Sequence, residues 1–466
     1  MDGFAAVAYS EEGHVALRQG LLSGQLPGES LVNWSPRTKD PIERVQSVPA
    51  TGGICGLHCR LASSGSSRVA TGGRRTIAVV WAKKTRCSDR RENVQAARDT
   101  NLRERQVYMK FSIYLNPQTS GPEHDVETIE AISRQAVSLT QAGFAGVGLT
   151  EHHFSEFNTY SSNLMLAAHL AGQVPLGTKF MLAAVIAPLH NPAHLAEQIN
   201  LLDIVTRGNL IVGLATGGDN MEFVGSGRDP ANRYEDFEAV TSTLERLWAM
   251  KKGGPAVEWK TRYEAGAVYT RIMPSGYNRP HPPLARTPVS DEAAQAAGRA
   301  GNHIFMARLQ LPQLVNRIAL YRAALDESGL HKAEIEDRLD WSFCFRNVIV
   351  RATDEEAREE AVRRIGALGE FAKVASAAIP GGALKAVIGP TSEPEKFIAE
   401  QYIVGSPQTV LDEFKRYEDA GVRHLATLFN FGFMTPAEAD SSIDRFMDKV
   451  FPAFASSASK SGLVSP

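Results

Sequence analysis

Gly146-Val147-Gly148-Leu149-Thr150-Glu151-His152-His153-Phe154 decides how the rest of the chain reads. A short run of small and apolar residues, the pattern of a strand buried on both faces, ends abruptly in an acid and two imidazoles. In α/β proteins the polar groups that do chemistry gather at the C-terminal ends of such strands. The pattern recurs outward from here. Phe180 to Ala187 precedes Pro188-Leu189-His190-Asn191-Pro192, and Leu210 to Ala215 precedes Thr216-Gly217-Gly218-Asp219-Asn220. Phe111 to Leu115, Pro283 to Thr287, His303 to Met306, Trp341 to Val350 and His424 to Phe429 complete eight candidate strands. Amphipathic stretches of helical length separate them: Asp125 to Ala142, Pro192 to Thr206, Arg233 to Met250, Asp291 to Ala300, Pro312 to Ser328, Asp354 to Ile365, Pro407 to Ala420 and Pro436 to Val450. Eight alternating βα units predict a closed (β/α)8 TIM barrel, because an open doubly wound sheet rarely needs so many in one domain.

Composition sets the outer limits. The chain has 466 residues, 50 Lys and Arg against 52 Asp and Glu, and 43% hydrophobic residues, the proportions of a globular protein with a large core. No apolar run approaches the ~18 residues of a membrane-spanning helix. Cys55, Cys59, Cys87 and Cys344 are too few for disulfides to organise a chain of this length. Asp2, Glu11 and Glu12 stand where an export signal would place cations and an apolar core, so a cytoplasmic setting is expected.

The regular pattern begins at Met109. Residues 1–108 carry 16 basic and 10 acidic side chains, a balance of +6, which leaves 34 basic and 42 acidic, or −8, for 109–466. Between 60 and 105 stand twelve Arg and Lys against four acids, without apolar periodicity. Such composition predicts a poorly ordered, dispensable extension over 1–108. Thr76 to Ala82 could form an isolated strand, Cys55-x3-Cys59 with His58 lacks the fourth ligand of a structural zinc site, and the Arg-rich stretch could bind nucleic acid or acidic surfaces, though a dispensable extension is the simpler reading. The expected division is therefore an extension over 1–108, a barrel over 109–455 and a tail over 456–466.

Several motifs together resemble the bacterial luciferase-like flavin monooxygenases, the luciferase α subunit in particular. They are Glu151-His152-His153-Phe154-Ser155-Glu156-Phe157, Ala167-Ala168-His169-Leu170, Ala183-Ala184 ahead of Pro188, Asn200-Leu201-Leu202-Asp203 and Val404-Gly405-Ser406-Pro407, in order along the chain from about Met109 to Phe454. The resemblance implies a (β/α)8 barrel that takes reduced FMN from a separate NAD(P)H-dependent flavin reductase and inserts one oxygen atom into a small organic substrate. It also implies a homodimer paired through helices beside strands 2 and 3. A deazaflavin-dependent oxidoreductase of the same fold and a non-catalytic flavin-binding protein are the alternatives. No nucleic acid, membrane or metal enters this reading, since Glu151-His152-His153 lacks the i, i+4 histidine pair of a helical zinc site.

His152 matches the family's catalytic histidine. An imidazole, with an unperturbed pKa of about 6.5, suits proton transfer near neutrality. Neighbouring side chains on extended chain point oppositely, so His153 is expected to hydrogen-bond behind it, and Glu151 to orient one of the rings or to pair with a cation. Ala183-Ala184 matches a position where a non-proline cis peptide leans on the flavin ring. Thr216-Gly217-Gly218 lets backbone N–H groups approach an anion. Thr216 stands where the luciferase pattern has arginine, and Arg286 or Ser290 at a helix start could compensate. Ser290 reads equally as a plain N-cap.

Other features read as structural. His169 on an apolar helical stretch is expected to pack, Phe305 and Met306 to belong to the core, and the charge run Asp354 to Arg364 to form a solvated helix face. Ile379-Pro380-Gly381-Gly382 and Ile388-Gly389-Pro390-Thr391-Ser392-Glu393-Pro394 interrupt any helix, and with Phe371, Val374, Leu384 and Phe397 they suggest a lid over the flavin.

Overall fold

All eight expected strands form, and each pairs in parallel with the next. They are β1 (Lys110–Leu115), β2 (Gly146–Leu149), β3 (Lys179–Ile186), β4 (Leu210–Ala215), β5 (Leu284–Arg286), β6 (His303–Ala307), β7 (Phe343–Val350) and β8 (His424–Leu428). Pairing runs from β1 through to β8, and β8 returns to β1 with His424 opposite Lys110 and Thr427 opposite Ile113. The protein is therefore a closed (β/α)8 barrel, here in a computed structural model that describes residues 4–9, 15–20, 109–154, 157–378 and 393–454. A further short strand, Tyr402–Gly405, pairs with the end of β7 from Asn347 to Val350.

The two-residue period of the strands sorts the side chains. Tyr114, Met181, Ala183, Ile211, Phe305, Phe343 and Ala426 fill the inside. Their neighbours Ile113, Leu182, Val212, Ile304, Met306 and Leu425 turn outward into the layer shared with the helices. Phe305 and Met306 are thus both core residues, on opposite sides of β6. Gly213 in β4 shows how tight the ring is: a Cβ there would meet the Leu182 carbonyl oxygen at 2.5 Å.

Capping residues fix where the helices begin. Asn191 accepts from Ala193 N and His194 N ahead of Pro192–Val205, Ser406 from Thr409 N ahead of Pro407–Asp419, and Thr435 closes a capping box with Glu438 ahead of Pro436–Lys449. Near the ends of the barrel chain, Phe446 is fully buried and meets the rings of Phe111, Phe144, Phe414, Phe429 and Phe451 at centroid distances of 5.4–6.4 Å.

Two expectations need correction. The run from Asp354 to Arg364 is not wholly solvated: Glu360 and Arg364 are buried. Glu360 binds Arg351 at 2.5 Å and Arg364 at 3.4 Å, and Arg364 also pairs with Glu438, so the helix is clamped to its neighbours through a buried charge network. His169 does not pack: it is exposed and its ring meets Gln173 Nε2 at 3.0 Å.

The chain divides into two units, residues 1–91 and 92–466. In the first, Phe4–Tyr9 and Val15–Gly20 form an antiparallel pair with Phe4 opposite Gly20, a hairpin that composition did not suggest. Thr76 to Ala82, Cys55, His58, Cys59 and most of the lid segment, 379–392, lie outside the described residues. Of the residues flanking that segment, Phe371 packs on Phe433 at 5.6 Å, Phe397 is buried and Val374 is exposed.

Phe446→Ala should cost about 3–5 kcal/mol, since it opens a cavity among five rings that cannot all collapse into it. Denaturant unfolding of the barrel transition measures the loss.

Candidate active site

Two buried carboxylates organise the open end of the barrel. Glu151, next but one after the end of β2, is 3% exposed. Its Oε1 accepts from His153 Nε2 and His190 Nε2, both at 2.7 Å, and its Oε2 accepts from the Ile186 amide at 2.8 Å. One side chain thus ties the loops after β2 and β3 together. Burial pushes the Glu151 carboxyl up, but His190 and His153 outweigh it and hold the group down at about 2. For His153, burial pulls the imidazole down while Glu151 and then Glu222 carry it above its ordinary value.

The second carboxylate is Glu222, fully buried on the short helix Asn220–Gly225 that follows β4. Its Oε1 accepts from His152 Nδ1 at 2.9 Å and from the His153 amide at 3.1 Å. A carboxylate oxygen only accepts, so the proton of the neutral His152 ring sits on Nδ1, and Nε2 is its basic atom. The Phe157 ring stands edge-on to the imidazole at 4.9 Å. Oε2 of Glu222 is buried without a partner. Asp219 caps the same helix by accepting from Met221 N at 2.9 Å, and burial, with Glu222 adding, holds its carboxyl above the ordinary value.

The two histidines therefore have different partners, as their opposed directions on extended chain led one to expect, but Glu151 orients His153 rather than His152. Glu222 was missed. It lies 70 residues from His152, and nothing in the spacing of Asp219-Asn220-Met221-Glu222 points to a distant imidazole.

The Ala183–Ala184 peptide bond is cis. Tyr114 Oη donates to the Ala183 carbonyl at 2.8 Å and Asn163 Nδ2 to that of Ala184 at 3.2 Å. Both carbonyls of the bend are thus held from other elements. Beyond β4, Gly217 adopts a φ of +77°, a left-handed conformation that suits glycine, and a Cβ at Gly218 would meet nothing within 4 Å. Thr216 is half-buried beside them.

A cation beside this loop is Arg233, which opens the helix Arg233–Trp248. It donates through Nη1 to the Gly217 carbonyl at 3.0 Å, reaches Asn220, and lies over the Phe223 ring at 5.0 Å. Arg286, at the end of β5, lays its guanidinium over Phe237, one turn along that helix, and keeps Nη1 buried without a partner. Burial pulls its pKa down. Ser290 accepts from Ala293 N at 3.2 Å and caps Asp291–Arg299, which is the plainer of its two expected roles. Among the described residues no group of three or more His, Cys, Asp or Glu is arranged to hold a metal ion, and no helix is long and apolar enough to cross a membrane.

Comparison with known proteins gives one consistent result. A family model described as luciferase-like monooxygenase matches residues 109–424. The oxygenase component of a flavin-dependent trigonelline monooxygenase from Acinetobacter baylyi is 24% identical, over 75% of this chain and 96% of its own length. Two further curated relatives, 28% and 27% identical, are matched over only 56% and 57% of their lengths, so the chain spans little more than half of each. Among solved structures, the monooxygenase RslO1 from Streptomyces bottropensis shares the fold with a TM-score of 0.61 at 21% identity, over 74% of this chain and all of that one. An F420-dependent secondary alcohol dehydrogenase shares it with a TM-score of 0.55 at 17% identity, over 74% of this chain and 99% of that one.

Because its folded pKa lies below the ordinary 4.5, Glu151 contributes stability that is present above pH 4.5 and lost as pH falls through about 2. Glu151→Ala, which leaves two imidazoles and an amide facing a void, should cost about 3–5 kcal/mol at neutral pH. The difference from the parent should shrink as the pH falls from 4.5 toward 2 in urea titrations.

Proposed function

Because this chain belongs to the luciferase-like monooxygenase family, we propose that it is the oxygenase of a two-component system, taking reduced FMN from a separate reductase and placing one atom of molecular oxygen in a small organic substrate. The observation that carries this reading is the pair His152–Glu222, an imidazole with one basic nitrogen set by a fully buried carboxylate at the mouth of the barrel. Reduced FMN, when bound, supplies the electrons that activate oxygen.

The residues present fit that cofactor. Arg286 Nη1 is a buried cationic donor lacking a partner, which an anionic phosphate would satisfy. Arg233 adds a second cation beside the open backbone at Gly217 and Gly218. Together they replace the arginine that Thr216 does not provide. Ala183 and Ala184 offer a flat wall of small side chains to a ring system, and Ser290 is free to join only if it gives up its cap. Glu151, buried, and His153, half-buried, act by holding the β2 and β3 loops in register.

At His152 the neutral ring takes a proton on Nε2 from the oxygen-transfer reaction or returns one, while Nδ1 keeps its hydrogen bond to Glu222. The carboxylate stabilises the imidazolium formed in passing, as an acid behind a catalytic histidine does elsewhere. Glu222 is a positioning residue in this scheme and His152 the catalytic one.

Oxygen uptake with a flavin reductase, NADH and FMN, followed by mass analysis of a substrate panel, tests the reading. Incorporation of one atom from labelled oxygen is expected. Tight binding of a reduced deazaflavin with none of FMN, or FMN binding without oxygenation of any substrate, would overturn it. His152→Ala should lower turnover by ~100-fold or more with flavin affinity retained, and Glu222→Gln by ~10-fold or more.

We further propose that 109–454 carries this activity alone, so that removing 1–108 leaves the melting temperature and reduced-FMN affinity nearly unchanged. A homodimer through the helices Asn163–Ala171 and Pro192–Val205 is supported by the exposed Met165, Leu201, Ile204 and Val205 on them. Leu201→Asp should shift the mass measured by light scattering toward that of a monomer.

A further inference from the structure

We propose that a cavity at the end of the barrel opposite His152 is a second ligand site, one that takes a neutral ring bearing a hydroxyl group, of the size of phenol. The inference does not depend on the reading of the barrel mouth.

The cavity has a volume of about 130 Å³, and its apolar wall comes from Met306, Leu314, Ile318, Leu339, Phe343 and Val422. Its place follows from the strands. Phe343 opens β7 and His424, a further lining residue, opens β8, whereas His152 lies beyond the end of β2. In a parallel barrel all strand starts lie at one end and the chemistry at the other. The helices Leu311–Asp326 and Lys332–Trp341 close the space from outside with Leu314, Ile318 and Leu339. A cavity of ~150 Å³ lined by aliphatic and aromatic side chains takes one benzene ring, so this one has room for a single six-membered ring.

Most polar groups in the wall are already satisfied. Tyr321 Oη donates to the Asn302 carbonyl at 2.6 Å, and Ser342 Oγ accepts from the Ile304 amide at 3.0 Å and donates to Tyr321 Oη at 3.3 Å. Of the two guanidiniums, Arg423 is held by Glu336 at 2.6 Å and by Asp340 at 3.0 Å, and Arg322 reaches Glu336 at 3.5 Å. Burial pushes the Cys344 thiol up, so it stays protonated. With its charges matched inside the protein, the cavity favours an uncharged guest.

His424 is the exception. It is 1% exposed, its Nε2 meets Ser112 Oγ at 2.8 Å, and its Nδ1 is buried without a partner. Trp341 and Phe343 stand edge-on to the imidazole, both at 5.6 Å, and hold its plane. Burial, with Lys110 adding, pushes the ring down to about 3, so near neutrality it carries a single proton. Where Ser112 donates to Nε2, that proton sits on Nδ1; where Ser112 accepts, Nδ1 is the bare nitrogen. A hydroxyl both donates and accepts, so it completes the imidazole in either tautomer. The apolar wall receives the ring that carries it.

The test is a fluorine NMR titration of the full chain with 4-fluorophenol and with fluorobenzene. The wild type should bind the phenol about tenfold more tightly, because its hydroxyl satisfies a buried nitrogen that fluorobenzene leaves bare. Ile318→Trp puts an indole into the space from a half-buried position and should abolish binding of both. His424→Phe keeps a flat ring and removes the nitrogens, so fluorobenzene should bind as to the wild type while the preference for the phenol vanishes. Melting temperatures show whether each variant is folded. If His424→Phe does not fold, the wild-type preference and its loss in Ile318→Trp still decide the matter. Equal affinity of the wild type for the two probes, a phenol site unchanged in Ile318→Trp, or a preference retained in folded His424→Phe would overturn the proposal. So would the absence of saturable binding, the result expected if ordered water alone fills the cavity.

Discussion

The carboxylate of Glu151 is the joint on which the open end of the barrel depends. Itself almost closed to water, it accepts three hydrogen bonds, two from imidazoles on the loops after β2 and β3 and one from the last amide of β3. Its low pKa expresses the same fact electrostatically: two imidazoles keep the group ionised against the cost of burial. Because Oε2 grips the Ile186 amide at the end of β3, the loop that bears His152 is referenced to the strand that bears Ala183 and Ala184. The catalytic ring and the wall beside it are therefore spaced by one side chain rather than by two independent loops.

Glu222 repeats this logic with the opposite emphasis. It binds the ring of one histidine and the backbone of the next, so it reads the turn between them as well as the orientation of His152. The short helix that carries it is capped by Asp219 and packs Phe223 beneath Arg233. Acid, cap, aromatic ring and guanidinium thus form one unit, which connects the proton-handling end of the site to the region where an anionic phosphate would be neutralised.

How much of this was legible in the sequence follows from the range of each interaction. Strand positions were readable because burial on both faces demands local apolar runs, and all eight formed in the expected order, though the fifth is only Leu284–Arg286 and the seventh starts at Phe343. Glu151, His152 and His153 were readable as a cluster because they are adjacent in the chain. Their partners were not: His190 and Glu222 come from other strand ends, and the barrel alone brings them within 3 Å. Arg233 was hidden for a related reason, since it looks like the solvated first turn of a helix until the chain folds it back over Gly217. The burial of Glu360 and Arg364 was misread because charge runs describe a helix face without saying what lies against it.

Ring closure also governs the order in which this protein can become itself. The strand that seals the barrel pairs with the one that begins it, and the Ser112–His424 hydrogen bond spans 312 positions. During synthesis β1 must wait, its hydrogen-bonding edge open, until the 312 positions that separate Ser112 from His424 have been made. The half-made barrel is thus an adhesive object for most of its time in translation. Its maker must either shield that edge or produce the last strand before neighbouring nascent chains find the first.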